Sequence, residues 1–249
     1  DLIETSLGHE VAHAWWGNGV LVDYEKGNWS EGLTSYVADY LYEERSSPEE
    51  GRAYRLKILR DYATLVPLEE DFPLKSFVSR VNPATRVVGY GKAAMVFHMA
   101  RRLIGDRAFW ESLRQVVKEK LFERASWNDF AMAMTRVSGR DLTPFFEQWI
   151  SRPGSPGLAL EDQEAKWDGK AWEISGQVIQ KAPFYDLNVP VRLEAQGENI
   201  DMNVLLTSRA VPVTFRTERR PSRLVVDPEA DLFRRLDPSE VPPAVNGIK

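Results

Sequence analysis

Cysteine is absent from this 249-residue sequence, which removes disulfides, thiolate nucleophiles and sulfur-ligated metal from consideration. Histidine is scarce, at 3 residues, so any metal site must draw on this small set together with Asp and Glu. Positive charge is not in excess. The 32 Lys and Arg residues stand against 37 Asp and Glu, a net of −5, and this lacks the electrostatic footprint of a nucleic-acid binder; no nucleic-acid partner is expected. No apolar run comes near the roughly 18 residues of a membrane span, and no span is expected in this chain. What is present suits a globular protein: 43% hydrophobic and 11% aromatic residues are enough to build a core. The chain opens on Asp1-Leu2-Ile3-Glu4-Thr5-Ser6-Leu7, with no Met, and reads as a piece of a longer protein. Oligomeric state is not legible; a cysteine-free chain leans slightly toward the bacterial cell envelope, with the cytoplasm left open.

The first 150 residues have helical periodicity. An apolar-periodic segment over 2–16 stops at Gly17-Asn18, and a second helix is predicted from about Ser30 to Glu44. Ser47-Pro48-Glu49-Glu50 combines an N-cap, a proline at the first position and a capping-box Glu, and predicts a helix ending before Pro67. The stretch from Pro67 to Asn82 reads as loop. Helices are predicted again over 89–104, 106–123, 126–137 and 142–151. Arg152-Pro153-Gly154-Ser155-Pro156-Gly157 is the clearest boundary, and beyond it the period changes from helical to alternating. Strands are predicted over 172–180, 187–195, 201–207, 211–216 and 223–226, the pattern of a small β-sandwich. The expected organisation is a helical unit over 1–151, a Pro/Gly linker over 152–157, a β-sandwich domain over 158–228 and an extended tail over 229–249.

The chemistry is concentrated near the start. His9-Glu10-Val11-Ala12-His13 is an HExxH motif on a helical segment, where residues four apart share a face and both imidazoles can converge on one ion. Glu10 adjoins the first ligand and can act as general base toward a water activated by Zn2+. The flanking Leu2, Ile3, Leu7, Val11, Ala14, Trp15 and Trp16 make the segment apolar, and ionisable groups placed there need a partner. Glu31, in Asn28-Trp29-Ser30-Glu31-Gly32, opens the second helix. It either complements the helix dipole in the first turn or returns to the histidines as a third metal ligand.

HEVAHAWWGN (9–18) and NWSEGLTSY (28–36) resemble the alanyl-aminopeptidase and leukotriene-hydrolase family of gluzincin zinc metallopeptidases. Gly89-Tyr90-Gly91-Lys92-Ala93-Ala94 and FFEQWISRPGSPGLAL (145–160) extend the similarity over most of the chain. The resemblance implies an α+β fold: a thermolysin-like helical catalytic subdomain followed by a small β-sandwich. It implies Zn2+ held by His9, His13 and Glu31, Glu10 as base, and Tyr90 as the hydroxyl that stabilises the oxyanion, in an aminopeptidase acting on peptide substrates. From the sequence alone Tyr90 reads better as a core aromatic at a helix start. Three departures stand out. The 17 residues between His13 and Glu31 are one fewer than is usual in the family. Gly91 and Ala93 replace the usual Glu and Gly. The Gly-x-Met-Glu-Asn strand that captures the substrate amine normally precedes HExxH by more residues than stand before His9, so this piece alone is expected to have little or no activity.

Two other readings compete. A catalytically inactive, zincin-like interaction module is one. The epoxide hydrolysis found in one branch of the family is the other, and nothing in the sequence selects it. His98, eight positions after Tyr90, reads as structural rather than catalytic. Arg86 and Lys92 flank Tyr90 and could bind a substrate carboxylate, but pairing with acidic residues is the expectation; Trp15 and Trp16 are expected to supply core and pocket wall, with the sequence leaving open which does which.

Overall fold

The computed structural model describes the backbone of residues 2–241 and the side chains of residues 7–241. The chain forms two compact units, Asp1–Gly154 and Ser155–Lys249.

In the first unit the HExxH segment folds as helix α1 (Leu2–Ala12). The predicted helix is thus shortened, for a local reason. His13 N–H still reaches the His9 carbonyl at 3.2 Å, but Ala14 and Trp15 donate only three residues back, to Val11 and Ala12. The tightened turn releases Trp16–Gly17 as a short strand, β1, parallel to β2 (Val20–Val22), which pairs with β3 (Arg124–Ala125). Trp16 is buried against Trp29 and Phe130, whereas Trp15 is 53% exposed, so Trp16 is the core member of the pair.

The second predicted helix is continuous but not uniform. Helix α2 (Ser30–Thr34) passes into a π-helical turn, Ser35–Tyr40, and then into α3 (Leu41–Ser46). Helix α4 (Pro48–Leu65) starts where its cap predicts, with the Glu50 N–H donating to Ser47 Oγ at 3.1 Å. The helix expected from Gly89 begins earlier. Asn82 and Thr85 form a reciprocal capping box at the head of α5 (Pro83–Arg86), which runs through a second π-helical turn, Val87–Lys92, into α6 (Ala93–Ile104). α7 (Asp106–Lys120), α8 (Trp127–Ser138) and α9 (Thr143–Ile150) complete the unit. Its core is aromatic: Trp29, Phe97, Trp127 and Phe130 meet at centroid distances of 4.7–5.4 Å, and the Trp29 indole donates to the Ala125 carbonyl at 2.7 Å. Burial of such large rings supplies most of the driving force for a unit of this size.

Lys92 lies within reach of the Asp71 charge. It is fully buried, and its ammonium donates to the carbonyls of Arg152 and Gly154 at 3.1 and 3.0 Å. His98 is also buried, with Nδ1 3.2 Å from the Tyr36 hydroxyl.

The second unit contains two antiparallel three-stranded sheets. One has the order β4 (Gly157–Trp167), β5 (Trp172–Lys181), β8 (Ala210–Thr217). The other has β7 (Glu198–Leu206), β6 (Leu187–Ala195), β9 (Pro221–Val226). Alternation along β6 buries Leu187, Val189, Val191, Leu193 and Ala195 together with Ile174, Val178, Val213 and Phe215 of the other sheet. Strand β4 was not expected. Its outer half, Glu161–Trp167, is exposed and largely charged, which removes the alternation signal and blunts an open edge. The described part of the tail is not simply extended either. Asp227, Leu232, Phe233, Arg234 and Leu236 are buried, Asp227 accepts the Asp231 N–H at 2.7 Å, and Arg234 pairs with Asp227 at 3.1 Å. The remainder of that predicted tail, 242–249, lies outside the described residues. Among the described residues no helix is long and apolar enough to cross a membrane.

Candidate active site

Helical spacing places the His9 and His13 rings side by side, 4.9 Å apart. Glu31, in the first turn of α2, faces both. Its Oε2 stands 3.5 Å from His9 Nε2 and 3.4 Å from His13 Nε2, and donor atoms of the three residues lie within 4.8 Å of one another. Ligands around a tetrahedral zinc, at about 2.0–2.2 Å from it, stand about 3.4 Å apart. The donor set and the two measured edges therefore suit such an ion, and three ligands leave a fourth position open.

The opposite ring nitrogens are held by hydrogen bonds. His9 Nδ1 is 3.1 Å from Asp39 Oδ2, and His13 Nδ1 is 2.9 Å from the Trp16 carbonyl. Because carboxylate and carbonyl accept, each Nδ1 carries the proton and each Nε2 is turned toward Glu31, the arrangement that fixes metal-ligating imidazoles. Sequence reasoning missed Asp39. It lies inside the π-helical turn, where the extra residue breaks the 3.6-residue count from Glu31. Such turns recur at functional positions, and here the other one, Val87–Lys92, carries Tyr90.

Tyr90 joins the same cluster. Its ring stacks with His9 at 6.4 Å and meets Phe77 edge-on at 6.2 Å, and its hydroxyl lies close enough to Glu31 to feel its charge. Glu10 is exposed and lines, with His9 and Tyr90, two adjoining clefts of about 470 and 500 Å³. Arg80 lines both clefts as well and was not singled out from sequence; it lies in the segment read as loop. His98 lines neither of these clefts.

The charges are coupled. Burial alone would lower the His9 pKa, but hydrogen bonds and charge from Asp39 and Glu31 outweigh it and raise it to about 9. The His13 pKa is raised, chiefly by its hydrogen bond to Glu31, against the effect of burial. Glu31 would be raised by burial, yet the two histidines hold it at about 2. Burial, with the Glu31 charge, pushes the Tyr90 hydroxyl up to about 12, so it remains a proton donor at neutral pH.

The Peptidase family M1 domain matches residues 2–149. The chain is 30% identical over 210 residues to Aminopeptidase N of Haemophilus influenzae, covering 79% of this chain and 23% of that protein. To Aminopeptidase 2, mitochondrial, of Saccharomyces cerevisiae it is 24% identical over 213 residues, covering 81% of this chain and 22% of that protein. Among solved structures, Legionella pneumophila aminopeptidase A in complex with aspartic acid shares the fold, with a TM-score of 0.62 at 20% identity over 92% of this chain and 26% of that one. The chain belongs to peptidase family M1. It spans about a quarter of the length of the relatives it matches.

Proposed function

We propose that the whole protein is a zinc-dependent aminopeptidase, with His9, His13 and Glu31 holding the metal, Glu10 as general base and Tyr90 as oxyanion donor. The observation that carries this is the pair of 3.4 and 3.5 Å edges from Glu31 to two histidines whose other nitrogens are already tied. Zinc bound there supplies a Lewis acid that brings the pKa of water down toward about 7. Glu10 accepts the proton of the water that attacks the peptide carbonyl and passes it to the leaving amine. The Tyr90 hydroxyl, protonated at neutral pH, donates to the oxygen on which negative charge develops. Asp39 and the Trp16 carbonyl hold the two imidazoles in place.

Elemental analysis of the purified chain checks the metal reading directly. About one zinc per chain is expected, and it is lost in His13→Ala; the same low content in both would remove the assignment and favour a non-catalytic module.

Proton linkage gives a second check. The stabilisation that His9 draws from Asp39 and Glu31 is fully present below the ordinary histidine pKa of about 6.5 and is lost as pH rises through about 9. That of Glu31 is present above the ordinary carboxylate pKa and lost as pH falls toward about 2. A metal competing for the same atoms must displace the His9 proton. Zinc affinity therefore climbs until about pH 9 instead of levelling off near 6.5, and calorimetry at neutral pH in buffers of different ionisation enthalpy reads a net proton release. An affinity that is flat above neutral pH would contradict this coupling.

A further inference from the structure

Beyond the metal cluster, the cleft of about 470 Å³ is bounded by Tyr54 and Ile58 of α4, by Val87 and Ala94, and by two arginines, Arg80 and Arg86. Arg80 also borders the adjoining cleft beside His13 and Glu31, so it stands where both clefts meet the cluster. The charges of Arg80 and Arg86 both reach the Tyr90 hydroxyl, opposing the rise caused by burial and Glu31.

The other charges of this wall are mostly committed. Lys57 is bound to Asp61 at 2.6 Å, and Asp39 holds His9 at 3.1 Å. Glu43, on α3, acts at Tyr54 together with Arg86, Asp39 and Asp61, and the charges acting at Tyr90 are Glu31 and the two arginines. Among the described residues, neither Arg80 nor Arg86 is taken by a salt bridge.

Both arginines are carried on anchored backbone. The segment leading to Arg80 is fixed by the Asn28 N–H donating to the Phe77 carbonyl at 2.7 Å and by the Asn28 side chain donating to Val78 at 3.0 Å. Past Arg80, the N–H groups of Val81 and Asn82 donate to Thr85 Oγ1 at 2.9 Å. Arg86 closes α5. Both side chains are exposed at the cleft, and a guanidinium not held in a salt bridge there keeps its fork of donors available to a carboxylate.

We propose that Arg80 and Arg86 form a carboxylate-recognition subsite of the peptide cleft, so that the protein favours peptides bearing a carboxylate within reach of the metal cluster. The subsite rests on the peptidase reading for its location, and it deepens that reading by naming a substrate class. Three sources present the same chemistry: an acidic N-terminal residue, an acidic second residue, and the free C-terminus of a short peptide.

The test uses the full-length protein carrying Glu10→Gln, so that bound peptides are not turned over, and calorimetric affinity for matched pairs. These are Glu-Ala-amide against Gln-Ala-amide, Ala-Glu-amide against Ala-Gln-amide, and Ala-Ala against its amide. In at least one pair the carboxylate form binds about tenfold tighter, as a charge-assisted hydrogen bond warrants, and the pair concerned identifies the source. The double variant Arg80→Gln, Arg86→Gln removes that difference and leaves the affinity of the neutral member unchanged. A preference missing from all three pairs, or one that survives the double substitution, overturns the proposal. Turnover of a neutral alanyl peptide by the unsubstituted protein is read separately. Its absence would count against the peptidase reading while leaving the binding comparison to decide the subsite.

Discussion

Glu10→Gln lowers kcat of the full-length protein about 10³-fold, within the 10²–10⁴ that a positioned proton acceptor contributes, while zinc content stays at that of the unsubstituted protein. Gln keeps the length and shape of Glu but cannot accept a proton. Glu10 is exposed on α1 and is not among the three residues whose donor atoms converge, so exchanging it leaves the His9–His13–Glu31 geometry intact. The loss falls on the step in which water gives up its proton, and KM changes little because no substrate-binding contact is removed. This separates Glu10 from the three proposed ligands, whose loss is expected to remove both metal and activity. A Glu10→Gln enzyme retaining more than about a tenth of kcat would show that another group takes the proton.

The part of this site that can be read from sequence is the part set by helical arithmetic. His9 and His13, four apart, share a face because the backbone repeats every 3.6 residues, and the final tight turn of α1 comes only after the His13 N–H has reached the His9 carbonyl. The strand Leu187–Ala195 is legible for the same kind of reason, since its buried residues alternate without interruption. Asp39 and the early start of the helix that carries Tyr90 are not legible. Asp39 lies in a π-helical turn, and one extra residue per turn rotates every later side chain off the face that counting assigns; the early start is set by the Asn82–Thr85 capping box inside a stretch whose prolines read as loop. The Trp16 carbonyl is invisible for another reason: backbone acceptors leave no mark on residue type. β4 was missed because its exposed half carries charge where a core strand would alternate, and Arg80 because a loop arginine is indistinguishable from solvated surface until the cleft behind it is seen.

Gly32→Ala is expected to damage the fold of the first unit out of proportion to its size. In an ordinary helix the exchange gains about 1 kcal/mol of intrinsic propensity. Here an added Cβ would stand 2.2 Å from Ala93 Cβ, 3.0 Å from its carbonyl carbon and 3.1 Å from its Cα. A Cβ has no rotamer to escape through, so α2 and α6 must move apart at a fully packed contact. Such overpacking costs about 1–3 kcal/mol and more where backbone is displaced, which outweighs the propensity gain. The damage reaches the chemistry as well. Glu31 precedes Gly32 directly, and the π-helical turn bearing Tyr90 runs straight into Ala93; the clash therefore separates the elements that bring these two side chains together. The expected result is a melting temperature lower by several degrees and weaker zinc binding, with Ala93→Gly restoring part of both. Rescue is partial because the backbone atoms of residue 93 remain in place, and because a glycine inside α6 costs about 1 kcal/mol of its own. A double-mutant cycle isolates the coupling. A Gly32→Ala chain as stable as the original, or one whose loss adds independently to that of Ala93→Gly, would mean that α2 and α6 do not meet this closely.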